Sequence, residues 1–402
     1  MITTGTSAGT KTVLYLHFFK NPAMHRRFLD GMRRFAQTAG WIVEPVRIDG
    51  LSPGSLRELA GRPDVAGCVR GVSDRGPGRL DRFLRALRGL PLVVVEPRDV
   101  KSVRCAGAVL CDNAAIAKAA FRELSADHPP AFAAVSYWDP GQRWARERIA
   151  AFRALCAGAG CQCRVFPQPR AEAPEARMAR LEEWAAALPE RVAIFAVNDF
   201  TAVETATALK ARRRHVPKSA TLVGVDGSPE RRDIPLSPVP VTSVNVDFES
   251  AGFAAARVLS EAVAAGADAS RTGPRIARFG PLMVLRREST RGRGRRAPYV
   301  LEAVETIRRE ACDGLTAAAL AARVPGSRKH FERRFREAMG HSVLDEILHA
   351  RLERVQACLM RRDVATGAIA GLSGFGSEIE LRRLFRRRFG MSMTEWRSRH
   401  VH

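Results

Sequence analysis

Residues 369–397 read IAGLSGFGSEIELRRLFRRRFGMSMTEWR, in which a short apolar pattern and a glycine-rich turn precede a strongly basic segment. Ile369 and Leu372 supply apolar positions of a short helix, and Ser377 stands where the next helix needs a cap. Apolar residues then recur at helical spacing, at Leu381, Leu384 and Phe385. The stretch therefore predicts a helix-turn-helix whose second helix is rich in arginine.

The same arrangement occurs once more upstream. A short helix is expected there, with apolar positions at Leu320, Ala321 and Val324. It breaks at Pro325 and Gly326, and residues 327–343, SRKHFERRFREAMGHSV, then begin with a capping serine. Phe331 and Phe335 lie four residues apart and should face inward from this second helix.

Basic side chains crowd the second helix of both patterns. So dense a cationic surface on a small helical unit is favourable beside a polyanion. One basic amphipathic helix alone is more often a solvated surface, but two copies at matching turn positions favour contact with DNA. The residues that we expect to contact duplex DNA are Ser327, Arg328, Lys329, His330, Arg333, Arg334, Ser377, Glu378, Arg382, Arg383 and Arg386.

Two carboxylates, Glu378 and Glu380, stand at the start of the second basic helix, where a negative charge repels phosphate. Glu380 fits the far half of a capping box with Ser377, which would turn it toward its own backbone. Glu378 is able instead to accept a hydrogen bond from a cytosine amine.

One long helix is expected between the two patterns. Its apolar positions are Val343, Ile347, Leu348, Leu352, Val355 and Leu359. A buried helix of this kind would hold the two basic helices at a fixed separation, suited to successive major grooves of one duplex.

Together these segments closely resemble the DNA-binding domain of AraC/XylS-type transcription regulators. The Gly-Phe turn, the Phe-Arg-Arg-Arg-Phe-Gly run and the closing Trp-Arg follow one another in the family's order, over about Pro298 to Arg399. The resemblance implies a domain with two helix-turn-helix motifs that binds a double-stranded DNA operator. Glu378 and Glu380 depart from the family, whose members more often carry neutral polar or aromatic residues there.

Length and charge agree with a DNA-binding protein of more than one domain. The chain has 402 residues, and domains usually take about 100 to 200. Its formal net charge is +23 and its pI is near 11.0, which attracts nucleic acid, although arginine-rich chains are often basic for no specific reason. No secretory signal pattern opens the sequence and no stretch approaches about 18 apolar residues, so we expect a cytoplasmic protein without membrane contact.

The sequence offers little to an enzyme. It contains no GxxxxGK[ST] phosphate loop, no HExxH pattern and no paired zinc ligands. Cys156, Cys161 and Cys163 form no CxxC pair and have no nearby histidine, which favours reduced structural thiols. We therefore predict no catalytic residue, no metal site and no cofactor.

The first 285 residues alternate short apolar runs with amphipathic stretches. Runs such as TVLYLHF, LPLVVVE, VAIFAVN and TLVGVD are typical of buried parallel strands covered by helices. In such α/β folds ligands bind outside the carboxyl ends of the strands. Polar residues follow several of these runs, at Asp112, Asn198, Asp199 and Asp226, and could converge on one cleft.

AVLCDNAAIAKAAFREL, RERIAAFRAL and VTSVNVDFESAGFAAARVL resemble the sugar-sensing core of LacI/GalR repressors and periplasmic sugar-binding proteins, over about Thr12 to Leu285. With SYW before QRWARERIAAFR, and with the DNA-binding region at the C-terminal end, the whole order is similar to XylR-type sugar-responsive regulators. This resemblance implies two α/β lobes joined by hinge strands. The first lobe would span residue 11 to about 112 with a return near 245, and the second lobe most of the rest.

The resemblance also implies a sugar-contacting set. The matching positions are Asp112, Arg148, Asn198 and Asp226. The aspartates would accept from hydroxyl groups, and the arginine and asparagine would donate. Trp138, in preference to Trp144, would stack on the apolar face of a pyranose. The loop residues expected at the cleft mouth are Met24, His25 and Arg26. The two aspartates also fit simple helix caps, and Arg148 a surface ion pair.

These observations divide the chain into a sensor domain (1–285), a basic linker (286–297) and a DNA-binding domain (298–402). They predict a sugar-responsive, sequence-specific transcription regulator that activates carbohydrate utilisation, with a pentose such as xylose as the effector. The expected partners are an operator duplex, the sugar, a second copy of the chain and RNA polymerase. The alternatives are repression, a hexose or sugar acid, and a DNA-binding protein that answers to no sugar and whose α/β region only dimerises.

Overall fold

The computed structural model describes residues 11–17, 22–48, 51–72, 87, 89–100, 103–167, 173–227, 237–266, 273–290, 298–339, 341–361 and 363–400. Strands and helices alternate in the first part of the chain, and the part after residue 298 is helical. In these ranges the strands form two six-stranded sheets, one for each lobe. The predicted class, a two-lobed α/β domain followed by an all-α domain, is confirmed.

The first sheet contains β1 (Lys11–His17), β2 (Trp41–Arg47), β3 (Val65–Arg70), β4 (Leu92–Val95), β5 (Gly107–Cys111) and β11 (Arg275–Phe279). Their order is β11-β5-β4-β3-β1-β2, with parallel neighbours. The second sheet contains β6 (Phe132–Val135), β7 (Cys163–Phe166), β8 (Val192–Ala196), β9 (Ala220–Val225), β10 (Thr242–Val246) and β12 (Pro281–Leu285). Their order is β12-β10-β9-β8-β6-β7, and β12 is antiparallel to β10 while the other neighbours are parallel.

Helices cover the sheets and then build the C-terminal domain. Those of the α/β domain are α1 (Pro22–Ala39), α2 (Pro53–Ala60), α3 (Asn113–Ser125), α4 (Arg143–Gly158), α5 (Pro174–Ala186), α6 (Asp199–Ala211) and α7 (Phe248–Ala265). Those of the C-terminal domain are α8 (Pro298–Glu310), α9 (Ala317–Ala322), α10 (Arg328–Met339), α11 (Val343–Leu359), α12 (Ile369–Leu372), α13 (Glu378–Phe389) and α14 (Met393–His400).

Three crossings between the lobes form the hinge of the described chain. They lie between β5 and α3, between β10 and α7, and between β11 and β12. The amide of Asp112 donates to the carbonyl oxygen of Phe279 at 2.7 Å, and the amide of Asp247 donates to that of Gly280 at 3.0 Å. The crossings are therefore hydrogen-bonded to one another. The return to the first lobe begins at Phe248, close to the return implied near residue 245.

Helices α1 and α7 pack together in the first lobe with their backbones in contact. A Cβ atom on Gly31 would lie 1.8 Å from the carbonyl oxygen of Glu249, and one on Gly252 would lie 1.9 Å from that of Phe28. Any side chain at either position would therefore separate the helices. The fully buried Phe35 fills the space beside this contact, 5.4 Å from the ring of Phe253.

The C-terminal domain contains the two predicted helix-turn-helix units, α9 with α10 and α12 with α13. Phe331 and Phe335 of the first unit, and Leu381 and Phe385 of the second, are at most 1% exposed, as the spacing predicts. Of the apolar positions predicted on α11, Val343, Ile347, Leu352, Val355 and Leu359 are buried and Leu348 is half-buried. Leu372 differs from the other apolar residues of the short helices, because 46% of it is exposed.

The segment assigned to the linker divides into two parts. Residues 286–290 pack on the second sheet, where the Ser289 hydroxyl donates to the carbonyl oxygen of Leu222 at 2.5 Å and accepts from the amide of Thr242 at 2.8 Å. Residues 291–297 lie outside the described residues. The sensor domain therefore extends at least to Thr290, five residues beyond the boundary placed from sequence.

No helix within the described ranges is both long and apolar enough to cross a bilayer. All eight cysteines are free thiols. Cys68, Cys111, Cys156 and Cys358 are buried among apolar side chains, which agrees with a structural role for these thiols.

We expect Gly252→Ala to lower the free energy of unfolding by about 1 to 3 kcal/mol, because the new methyl group overpacks the contact between α1 and α7. The matched control is Gly158→Ala at the end of α4, where a Cβ atom would meet nothing within 4 Å. That control should be neutral or stabilising by up to about 1 kcal/mol. Thermal unfolding followed by circular dichroism measures both, and equal midpoints for the two variants would contradict the packing argument.

Candidate functional site

Polar side chains of the second lobe meet near the carboxyl ends of its strands. Arg148 of α4 is buried and donates to the carbonyl oxygen of Val197 at 2.7 Å and to Asn113 Oδ1 at 3.0 Å. Asp226 follows β9, and its Oδ1 lies 3.9 Å from Arg148 Nη1. Two of the residues predicted to contact a sugar therefore lie together, as an acceptor beside a donor.

Asp226 is held in an unusual state. Its backbone φ is 111°, a value that non-glycine residues rarely adopt and that costs free energy unless the surroundings enforce it. Burial raises the pKa of its carboxyl group to about 6, although the nearby guanidinium groups of Arg148 and Arg27 act in the opposite direction. A strained, buried carboxylate beside two cations is typical of a binding site.

Arg27 bridges the two lobes. It projects from α1 of the first lobe and donates to the carbonyl oxygen of Asp226 at 2.8 Å and to Asn245 Oδ1 at 2.5 Å, both in the second lobe. Its guanidinium carbon also lies 5.2 Å from the ring centroid of Phe248. Any change in the angle between the lobes must therefore move Arg27 relative to Asp226.

The other two polar residues predicted at this site cap helices. Asp112 is exposed at the first hinge crossing, and its Oδ1 accepts from the amide of Ala115 at 2.8 Å. Asn198 precedes α6, and its Oδ1 accepts from the amide of Thr201 at 2.8 Å. Both side chains thus have one oxygen committed to the backbone, which is the structural alternative that the sequence left open for Asp112.

An aromatic cluster adjoins Arg148. The ring of Tyr137 lies 5.2 Å from both Trp138 and Trp144, and the Arg148 guanidinium lies 4.9 Å from the Trp144 ring. Trp144 is therefore the tryptophan beside the polar pair. Trp138, the preferred stacking platform, forms the end of the cluster with 42% of its surface exposed.

The loop residues expected at the cleft mouth belong to α1 instead. His25 is buried, and its Nδ1 lies 2.8 Å from the Tyr15 hydroxyl. Met24 is half-buried and Arg26 is exposed. His25 is thus a packed residue of the first lobe rather than an open ligand contact.

The first basic helix, α10, presents most of its predicted contact residues to solvent. Ser327, Arg328, Lys329, His330 and Arg333 are exposed. Arg328 donates to Glu332 at 2.7 Å, one helical turn on. Arg334 differs, because it is half-buried and lines a crevice of about 760 Å³ between α10, α3 and β12. Its position favours a contact with the sensor domain over a contact with DNA.

The second basic helix, α13, exposes Arg382, Arg383 and Arg386. The hydroxyl of Ser377 accepts from the amide of Ile379 at 3.2 Å, so Ser377 caps the helix as predicted. Within the described residues the cap has no reciprocal bond from Glu380, so the predicted capping box is wrong. Glu378 instead accepts from Arg382 at 2.5 Å.

Ion pairs join the DNA-binding domain to the hinge side of the first lobe. Arg308 of α8 donates to Asp247 Oδ2 at 2.6 Å and to Glu249 Oε2 at 2.8 Å. Arg34 of α1 lies 3.3 Å from Glu249 and 2.8 Å from Glu353 of α11. Burial by itself would raise the pKa of Asp247, but Arg308 and the hydrogen bonds within the helix cap outweigh it and lower the pKa to about 2. Asp247 is therefore ionised at neutral pH.

The same domain also packs on the second lobe. Met283 of β12 belongs to one apolar cluster with Val300, Val304, Phe331 and Phe335 of the C-terminal domain. The DNA-binding domain thus contacts both lobes, on opposite sides of a hinge crossing.

Comparison with known proteins agrees with this arrangement. A periplasmic binding protein-like domain matches residues 130–290, and a helix-turn-helix domain matches residues 320–399. The xylose operon regulatory protein of Escherichia coli (strain K12) is 28% identical over 293 residues, covering 72% of this chain and 73% of that protein. The protein of the same name from Haemophilus influenzae is 27% identical over 218 residues, covering 54% of this chain and 55% of that one.

Solved structures share the fold. The xylose-binding transcription activator xylR is 24% identical and covers 98% of this chain and 100% of its own, with a TM-score of 0.56. A transcriptional regulator CelR–cellobiose complex is 22% identical and covers 70% of this chain and 84% of its own, with a TM-score of 0.55. The chain is similar to these XylR regulators in its order of domains. It joins a periplasmic-binding-protein-like domain to a C-terminal helix-turn-helix domain.

Three residues that connect this site to other parts of the molecule have weak or no sequence signals. Arg27 follows Arg26 directly, and only the rotation of α1 by one residue separates the half-buried side chain from the exposed one. Asn245 is visible as a polar residue inside the apolar run VTSVNV. Arg308 has no signal, because its partners lie 61 and 59 residues away in sequence.

We expect Arg308→Met to lower stability by about 3 kcal/mol, because Asp247 then loses its ion-pair partner at a half-buried position and Glu249 keeps only Arg34. The control is Arg309→Met, since Arg309 is 67% exposed and pairs with Glu310 at the surface. Its effect should be within about 1 kcal/mol. Thermal unfolding compares the two, and hydrogen exchange in α8 and α11 reports whether the domain interface loosens. Equal stability losses would contradict the buried role of Arg308.

Proposed function

We propose that the chain is a sugar-responsive, sequence-specific transcription regulator that activates genes for carbohydrate utilisation. The observation that carries the proposal is the contact of the DNA-binding domain with both lobes of a sugar-binding fold. Relatives named as xylose operon regulators and as a xylose-binding activator make D-xylose the first effector to test. Those relatives are regulators rather than enzymes, and the chain is expected to act in the cytoplasm.

The sugar is proposed to bind between the lobes at Arg148 and Asp226. The carboxylate accepts hydrogen bonds from two hydroxyl groups, and Arg148 and Asn245 donate to ring or hydroxyl oxygens. Trp138 or Trp144 covers an apolar face of the ring. Asp112 and Asn198 remain proposed contacts through the atoms that their cap bonds leave available.

Closure of the lobes around the sugar provides the switch. Arg27 already joins α1 to Asp226, so closure shifts the first lobe against the end of β9. The DNA-binding domain is attached to the first lobe through Arg308 and to the second through Met283. It must follow one lobe or the other when the angle between them changes, which reorients α10 and α13. A homodimer and a contact with RNA polymerase complete the proposed mechanism.

The test is operator binding by the full chain, measured by fluorescence anisotropy with and without D-xylose. An operator first selected from random duplexes should bind with an affinity that changes about 5-fold or more with xylose, the usual size of an allosteric coupling. Asp226→Ala should remove the xylose effect and keep DNA binding. A xylose effect that survives this change would contradict the assigned site. DNA binding that no pentose, hexose or sugar acid alters would favour the purely DNA-binding alternative.

Effector affinity should depend on pH through Asp226. With a pKa of about 6, the carboxyl group is ionised at neutral pH and gains a proton as the pH falls, so it loses acceptor capacity toward sugar hydroxyls. Affinity for D-xylose should therefore be flat above about pH 7 and fall about tenfold per pH unit below about pH 6. Calorimetric titration from about pH 7.5 to 5 measures it. Asp226→Asn should bind weakly with no such slope, and an equal slope in that variant would assign the effect to another group.

A further inference from the structure

Ile379 is the most exposed large apolar side chain in the described part of the chain, with 67% of its surface accessible. It stands in the first turn of α13, directly after the capped N-terminus. The inward face of that helix is already formed by Leu381 and Phe385. Ile379 therefore contributes nothing to the core of the domain and is accessible to a partner molecule.

The surroundings of Ile379 indicate which partner it meets. Arg382, Arg383 and Arg386 follow it by three, four and seven residues, so they share its face of the helix. All three are exposed. A cationic face of this kind is complementary to a polyanion. Covering it with an apolar protein surface would cost the hydration of its charges. In helix-turn-helix proteins the first turn of the second helix contacts base edges in the major groove.

The two basic helices offer different chemistry at equivalent positions. Counted from the caps Ser327 and Ser377, each helix has an ion pair between its first and fifth residues, with the charges reversed. Arg328 donates to Glu332 on α10, whereas Glu378 accepts from Arg382 on α13. The next position is Lys329 on α10 and Ile379 on α13. At these two positions α10 therefore offers donors alone, and α13 offers an acceptor and a branched apolar group.

The major groove presents one apolar group, the 5-methyl of thymine, and apolar side chains contact it. We propose that Ile379 packs on a thymine methyl group in the half-site bound by α13 and thereby makes that half-site differ from the one bound by α10. The donors of Arg328 and Lys329 suit guanine acceptors in the other half-site. This proposal rests on the proposed DNA-binding function, whose own test is separate.

The test uses the full chain and an operator selected from random duplexes, in which each thymine of the site is replaced in turn by uracil. Uracil lacks the methyl group and keeps the pairing edge. Loss of one buried methyl group should weaken binding about fourfold at one thymine. In Ile379→Ala the affinity for the thymine operator should fall by a similar factor, and the difference between thymine and uracil should vanish. Ile379→Val should retain part of the difference.

Leu344→Ala is the matched control, since Leu344 is an apolar residue of the same domain, 54% exposed at the start of α11. It should keep the wild-type preference for thymine. The proposal is overturned if no thymine shows the effect, or if Ile379→Ala keeps it. Failure to select or bind any duplex would overturn the DNA-binding function and this proposal with it. Selection of an operator without methyl sensitivity would overturn this proposal alone.

Discussion

The ion pair of Arg308 with Asp247 and Glu249 is the contact on which the relation between the two domains depends. Asp247 belongs to a hinge crossing, caps α7 through the amide of Ser250, and donates its own amide to Gly280 of another crossing. Arg308 of the DNA-binding domain thus binds a carboxylate of the hinge, whose backbone must bend when the lobes move. Burial of these charges makes the contact costly to break, since an unpaired carboxylate there would lose hydration without compensation.

The effector site and this anchor share one short stretch of chain. Asn245, two residues before Asp247, accepts from Arg27, and Arg27 also holds the carbonyl oxygen of Asp226. A ligand that binds at Asp226 therefore acts, through Arg27, on Asn245. Asn245 is only two residues from Asp247 of the ion pair. Coupling between the sites needs no long pathway of side chains, because the hinge itself carries both contacts.

Sequence patterns predicted the structural features that depend on the spacing of residues within one helix or strand. Periodicity at Phe331, Phe335, Leu381 and Phe385 placed the inward faces of the helix-turn-helix units, and alternating apolar runs indicated the two-lobed α/β region. Resemblance brought Arg148 and Asp226 to one site. The contacts that local patterns could not supply are those between distant segments. They include Arg27 with Asn245 and Arg308 with Asp247, which depend on how whole helices are stacked.

Two departures from the local patterns have the same origin. Glu380 has the spacing of a capping box, but Ser377 bonds the amide two residues on. Arg334 lies on a basic helix, yet the packing of α10 against β12 turns it toward the sensor domain.

The crevice that Arg334 lines has a further consequence for how the molecule can move. On the side of α11 the two domains are joined by hydrogen bonds to α1. Glu353 accepts from Arg34, and Arg354 and Arg361 both donate to Thr38. On the side of α10 the crevice of about 760 Å³ leaves open space between the helix and α3. Close-packed interfaces resist displacement, whereas an open gap can narrow without displacing side chains. Among the described residues, the crevice therefore leaves room for the DNA-binding domain to tilt toward α3, with the hydrogen-bonded α1–α11 side as the pivot.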